Sequence, residues 1–498
     1  MSVMRRVFSF PVVISSLLMT LGVLTVRGRF DDPDMWWHLK TGQIICTTRR
    51  IPTTDIFSYT TNHHFWVPHE WLSQVLMYSA YKFGGYSGLM LWLCFFTAAI
   101  LVAGYALCCS YSRNAKVAFV GAMIIWFFAT AGLAIRPQMV GYLLLVVELS
   151  LIHLGRSRSP RWFFGLPPLF AVWVNCHGSF FLGFLLACIV LACSFFDFPL
   201  GSLVSVRWDP YPRKMLVIAL LLSLAALFLN PVGISQVLYP LNTMFHQSIQ
   251  LSSVEEWMPL TMNSGRGLGF LLVLGCIFLI VLVQRSVLAL DELTMLALGT
   301  WLAISHRRML FVFGILAAPI VSRLLAPLWD GYDADQDRPL ANAILITASL
   351  LILVLGFPNP QNLAQQVEAR SPVKAVEFIQ RHNLKGPMMN DYVYGGYLIW
   401  AAPDHPVFVD GRGDVFEWSG VLAEFGRWAM LQENPNTLLD KYGVGFCVLA
   451  RTSPMAQVLP LMPNWKSVYS DNMSTVFLRT SDEIPAGEGA KTLSKTSR

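Results

Sequence analysis

The sequence predicts an α-helical protein that crosses a lipid bilayer about eleven times and ends in a small extracytoplasmic α/β domain. Three observations predict it. Of 498 residues, 55% are hydrophobic and only 13% are charged, whereas soluble domains carry about 25% charged residues. So little polar surface cannot cover a chain of this size in water, and lipid removes the need. Apolar runs close to the length of a membrane helix recur through the first 357 positions. Beyond residue 358 they give way to shorter amphipathic and strand-like patterns.

The runs justify the elements in turn. Candidate crossings are 7–26, 86–110, 116–134, 138–154, 162–176, 179–196, 214–230, 268–284, 287–304, 309–326 and 339–357, with 69–83 a further partial crossing. The first run follows Arg5 and Arg6, and Arg27, Gly28 and Arg29 follow it in place of a small-residue cleavage site, so it reads as a retained helix. The basic residues set the orientation. With the N-terminus in the cytoplasm, Arg113 and Lys116, the Arg156–Arg158–Arg161 group, Arg207, Arg213 and Lys214, and Arg285 all fall inside. Arg307 and Arg308 break the rule by falling outside. The long first loop (27–70) and the tail from 358 then lie outside. In the tail, 371–382 is amphipathic and helical in pattern, strand-like runs follow at 387–390, 406–410, 444–450, 466–470 and 474–479, and 481–498 reads as disordered. The domains expected are therefore 1–357, 358–480 and the 481–498 tail.

Composition also excludes. The net charge of +6 is dispersed over short loops, which fits membrane topology and argues against nucleic acid as a partner. The nine cysteines include no CxxC pair, so neither a zinc ribbon nor a redox motif is indicated.

The chemistry concentrates on one face. The first loop opens with Asp31, Asp32 and Asp34, followed by Trp36, Trp37 and His38. Carboxylates there suit a general base, a metal site or both, and the indoles suit a bilayer interface or a sugar ring. The same acids also suit a solvated loop or a helix cap. Further on, His63 and His64 read as interface residues, whereas His69 and Glu70, with Asp34, are candidates for a divalent metal ion. Arg136 at a membrane boundary either snorkels or binds an anionic head group. Asn175 and His177 stand at the mouth between two spans, and Glu256 and Trp257 lie in a later outside stretch. The outside placement of Arg307 and Arg308 is a cost that phosphate binding would explain, unless one helix is miscounted. In the tail, Asp410 and Arg412 either contact an acceptor or close a turn through Gly411 and Gly413.

At these residues the chain resembles the GT-C membrane glycosyltransferases, a superfamily that includes oligosaccharyltransferases, protein O-mannosyltransferases and aminoarabinose transferases. It is most similar to a bacterial group of that type. The resemblance rests on Asp32-Pro-Asp-Met-Trp-Trp-His-Leu39, Ile51-Pro-Thr-Thr-Asp-Ile-Phe-Ser-Tyr59, His69-Glu-Trp-Leu72, Arg136-Pro-Gln138, Trp173-Val-Asn-Cys-His-Gly178, Asn230-Pro-Val-Gly233 and Glu256-Trp257, and in the tail on Asn390-Asp-Tyr392, Gly395-Gly-Tyr-Leu398 and Val409-Asp-Gly-Arg412. It covers roughly residues 7–480. It implies a bacterial inner-membrane enzyme that moves a sugar from a polyprenyl-phosphate or -diphosphate carrier to an acceptor on the outer face. Asp34 or Asp32 would act as base, and Arg136, Arg307 and Arg308 would hold the carrier phosphate. The tail lacks a WWDYG motif, which counts against sequon-reading activity. Two other classes compete. A transporter would place ionisable groups at the midplane and show internal repeats, and no repeat is found. A non-catalytic assembly protein of the cell envelope would use the tail to bind a partner.

Overall fold

A helix forms at each of the apolar runs in the computed structural model, which describes residues 6–61, 64–249 and 255–480. Arg5, His63 and the 481–498 segment expected to be disordered lie outside the described residues. Among the described residues, five helices are long and apolar enough to cross a membrane: Trp71–Ser112, Gln138–Ser157, Gly265–Gln284, Arg307–Leu328 and Pro339–Gly356. Phe10–Val26, Ala115–Ala129 and Phe180–Cys193 are apolar but shorter. The count of eleven crossings therefore exceeds what helix length alone supports. The partial crossing expected at 69–83 is the first part of Trp71–Ser112. Gly85, at φ 55° and ψ −137°, breaks that helix in a conformation that favours glycine.

The chain divides into two compact units. The first runs up to Arg29 and then takes in His69–Pro360. The second joins the first-loop segment Phe30–Pro68 to the chain from Gln361 onwards.

In the first unit, helices Phe10–Val26, Trp71–Ser112, Ala115–Ala129 and Leu310–Leu325 pack closely through small residues. A Cβ on Gly121 would meet Cys108 Sγ at 2.6 Å, and one on Gly314 would touch the Phe128 side chain at 3.0 Å, close approaches of the kind small residues permit between membrane helices. Gln138–Ser157 and Leu310–Leu325 both start beside Arg308 and end at basic residues, Arg156 and Arg323. Twenty helical residues rise ~30 Å, the thickness of a bilayer core, so this unit has two polar ends one membrane apart. At the Arg156 end a small sheet forms: β1 (Phe198–Leu200) runs antiparallel to β2 (Leu203–Ser205), which is parallel to β3 (Leu288–Ala289).

The second unit is a small α/β domain. Its sheet has the order β4 (Met388–Asn390), β5 (Phe446–Ala450), β7 (Ser474–Arg479), β6 (Trp465–Ser470), with β4 and β5 parallel and the rest antiparallel. The amphipathic helix Val373–Arg381 buries Ala375, Val376 and Ile379. The run 406–410, expected as a strand, makes only a single parallel bridge, Ser58 to Val407. Its backbone is used otherwise: Tyr59 N–H donates to Val407 O at 3.2 Å, Val407 N–H to Phe57 O at 3.0 Å, and the Asn390 side chain bonds Phe408 N–H and Val409 O.

Candidate functional site

The residues singled out from sequence fall into two groups, one in each unit.

In the second unit, helix Met35–Thr48 starts immediately after the acid motif, and Asp34 is its N-cap residue. The Asp32 carboxylate accepts the Asp34 N–H at 2.9 Å, which turns the loop into the helix. Trp36 is buried and meets Tyr397 edge-on at 5.0 Å. The Trp37 and His38 rings meet at a tilt of 34°, their centroids 3.6 Å apart. Asp34 lies against the tail motif: a Cβ on Gly411 would overlap Asp34 Oδ1, and one on Gly396 would overlap Pro33 O. Only residues without side chains let the acid motif come so close.

Behind Gly411 is a buried ion triad. Arg412 gives two hydrogen bonds to Asp410, Nε to Oδ1 at 2.9 Å and Nη2 to Oδ2 at 2.6 Å, and Nη1 donates to Asp55 Oδ1 at 2.6 Å. Asp55 also accepts from Thr61 Oγ1, Ser58 Oγ and the Phe57 N–H. Phe57, Trp66 and Phe416 line the guanidinium. All three charged groups are at most 2% exposed. Burial acts to raise the Asp55 pKa, but Arg412 and the bonds from Ser58, Thr61 and Phe57 outweigh it and hold the carboxyl below the usual range. Asp410 and Arg412 thus tie the first-loop segment to the tail. Asp55 was not among the candidates; its signal was its place in the Ile51–Tyr59 motif.

In the first unit, a cationic group gathers at one polar end. Arg136 Nη1 donates to Glu256 Oε2 at 3.1 Å, and Arg308 Nη1 is 3.9 Å from the same oxygen. Arg308 also donates to Gln138 Oε1 at 2.9 Å and lies over the Trp257 ring, its Cζ 4.3 Å from the centroid. Burial acts to raise the Glu256 pKa, but Arg136 first and then Arg308 outweigh it and keep it below the ordinary carboxylate range. Two guanidiniums therefore share one carboxylate. Arg307 pairs separately with the exposed Glu255 at 2.8 Å.

Next to this group, Glu70 is buried with His177 Nε2 3.4 Å and His69 Nε2 3.7 Å from its Oε1. The Ser179 N–H donates to His177 Nδ1 at 3.1 Å, which places the ring proton on Nε2, toward Glu70. Burial, then Arg308 and His69, depress the His177 pKa well below its usual value, so the ring is neutral. Asn175 is spent on structure: it accepts from Trp71 Nε1 at 2.7 Å and donates to Ala171 O and Leu229 O. His69 stacks on Tyr239 at 3.8 Å. Among the described residues, no group of three or more His, Cys, Asp or Glu side chains is placed to hold a metal ion.

The chain shares its fold with solved oligosaccharyltransferases. The chain superposes on the Archaeoglobus fulgidus oligosaccharyltransferase tethered with an acceptor peptide containing a sequon, with a TM-score of 0.52 and 13% identity over 89% of this chain and 70% of that one. It also superposes on the archaeal oligosaccharyltransferase AglB of the same organism in complex with an inhibitory peptide and a dolichol-phosphate, with a TM-score of 0.54 and 11% identity over 88% and 69%. ArnT from Cupriavidus metallidurans bound to undecaprenyl phosphate aligns over 93% of this chain and 96% of its own, at a TM-score of 0.49 and 12% identity. No family model matches the chain, and no curated protein sequence does.

Proposed function

We propose that this membrane protein transfers a sugar from a polyprenyl-phosphate or -diphosphate carrier to a nucleophilic acceptor. The observation that carries the reading is the pairing of Arg136 and Arg308 on the single carboxylate of Glu256, in a chain of this fold. Guanidiniums gathered in this way suit the oxygens of a carrier phosphate. The acceptor oxygen attacks the anomeric carbon, the bond from that carbon to the carrier phosphate breaks, and its electron pair leaves on the phosphate oxygen. Arg136 and Arg308 stabilise the charge that develops there. Asp34 takes the acceptor proton, with Asp32 holding the turn that presents it. Neutral His177 donates from Nε2 toward Glu70 and orients it. No step is routed through a metal. An inner-membrane location with the second unit outside, as the basic residues predict, belongs to the same reading.

The test is transfer from polyprenyl-linked sugars by the purified protein. Asp34→Asn is expected to lose about 10²–10⁴ of the rate, and Arg308→Gln about 10²–10³, with folding intact. Asp32→Asn should lose less. Equal behaviour of wild type and all three variants, over a broad panel of carriers and acceptors, would favour the assembly-protein reading.

A further inference from the structure

The opposite polar end of the first unit holds a cavity of about 500 Å³ that the transfer reaction does not use. Two helices line it with the same gradient. On Gln138–Ser157 the lining residues are Leu149, Ile152, His153 and Arg156, one helical face that starts apolar and ends charged. On Leu290–Ser305 the order reverses with chain direction: Asp291 in the first turn stands at the rim, and Met295 lies one turn deeper. The cavity therefore has a charged mouth and a greasy floor, which fits an amphiphile. Its size is that of an ordinary ligand pocket.

The charges at the mouth select the head group. Arg323 is committed to Glu292, with Nε on Oε1 at 2.7 Å and Nη2 on Oε2 at 2.5 Å and on Val287 O at 3.0 Å, and Glu292 also accepts the Ala289 N–H. That pair holds the helix ends together. The second pair is open: Arg156 Nη1 meets Asp291 Oδ2 at 3.0 Å, and the Arg156 side chain is 42% exposed. The guanidinium also lies over Trp208, 5.4 Å from the ring centroid. Among the lining residues carboxylates and guanidiniums match one for one, so an anionic head group reaches Arg156 within the cavity only by displacing Asp291. A zwitterion loses nothing, because it can take one partner from each side of the open pair. A quaternary ammonium has no N–H to give Asp291, and the Trp208 face it would seek is occupied.

We propose that this cavity seats a zwitterionic phospholipid bearing a primary amine, its phosphate on Arg156 and its ammonium on Asp291. The full chain is placed in nanodiscs of equal parts phosphatidylethanolamine, phosphatidylcholine and phosphatidylglycerol, and the lipids it retains on release are counted by native mass spectrometry. Wild type should retain phosphatidylethanolamine over phosphatidylcholine by about tenfold, the worth of roughly one charge-assisted hydrogen bond. Asp291→Asn should bring the two near parity, and Arg156→Gln should lower retention of both. The wild-type preference needs no variant to be read. Parity among the three lipids, or a preference for phosphatidylglycerol, overturns the proposal, as do folded variants that retain lipid as wild type does.

Discussion

Gly411 is a glycine for want of space. Any side chain there would push Asp34 away from the tail backbone. Gly411→Ala is therefore expected to leave unit two folded but to move the carboxylate by a fraction of an ångström or more, lowering the transfer rate by up to about 10²-fold; rates beside a thermal melt check this. Arg412 acts differently. Arg412→Ala strands Asp55 and Asp410 as unpaired buried carboxylates, a loss of about 3–5 kcal/mol, visible as a lower denaturation midpoint. Arg412→Lys should rescue little, because an ammonium cannot make the forked contact to two carboxylates. The sign of the acid response follows from Asp55. Its folded pKa lies below the unfolded one, so its contribution is full above the ordinary carboxylate pKa of about 3.9 and is lost as pH falls from there through the lower folded value. Asp391 works the other way: burial, opposed by N–H bonds from Ala450, Val393 and Tyr392, raises its pKa. Replacing Asp55 by Asn should thus flatten the loss of stability measured between about pH 5 and pH 2.

Among the elements, the apolar runs were readable because a membrane helix needs a long run of one kind, and a helix formed at each. The tail was readable where period decided, at Val373–Arg381 and at β5, β6 and β7. Period failed at 406–410, an apolar run whose backbone partners are Phe57, Tyr59 and Asn390. It also passed over the short helices Val421–Ala429 and Pro435–Lys441. An ionisable group deep inside a span also went unread. Glu148 stands halfway along Gln138–Ser157, fully buried, with neither carboxyl oxygen hydrogen-bonded. It packs near Gly183, where a Cβ would come within 2.6 Å of its Oε2 and of Trp173. A buried polar group without partners costs stability. Glu148→Leu should raise stability by about 1–3 kcal/mol, seen as a higher melting temperature in detergent. A variant that melts higher yet loses transfer would mark Glu148 as kept for function, as intramembrane acids often are.

At the scale of the whole molecule, what sequence could not reach was juxtaposition. Arg412 and Asp55 are 357 positions apart, and no local pattern pairs them. The residue types were legible, namely an acid loop, arginines that break the positive-inside pattern and a glycine-flanked Asp–Arg motif, but not that loop and tail are one folded unit. That unit predicts its own failure when divided. Residues 361–480 expressed alone lack Trp36 against Tyr397, lack Phe57 and Trp66 against Arg412, and leave that guanidinium with one carboxylate of its two. Burying three such aromatic side chains is worth about 5–9 kcal/mol, comparable with the ~5–15 kcal/mol that holds a typical domain together. Residues 361–480 alone should therefore lack a cooperative melt and bind a dye that reports exposed apolar surface. Joining 30–68 to 361–480 through a flexible linker should restore the melt, and Asp55→Ala in the joined chain should weaken it again. A tail that melts cooperatively by itself, unchanged by adding 30–68, would show that the loop rests on the tail without contributing to its stability.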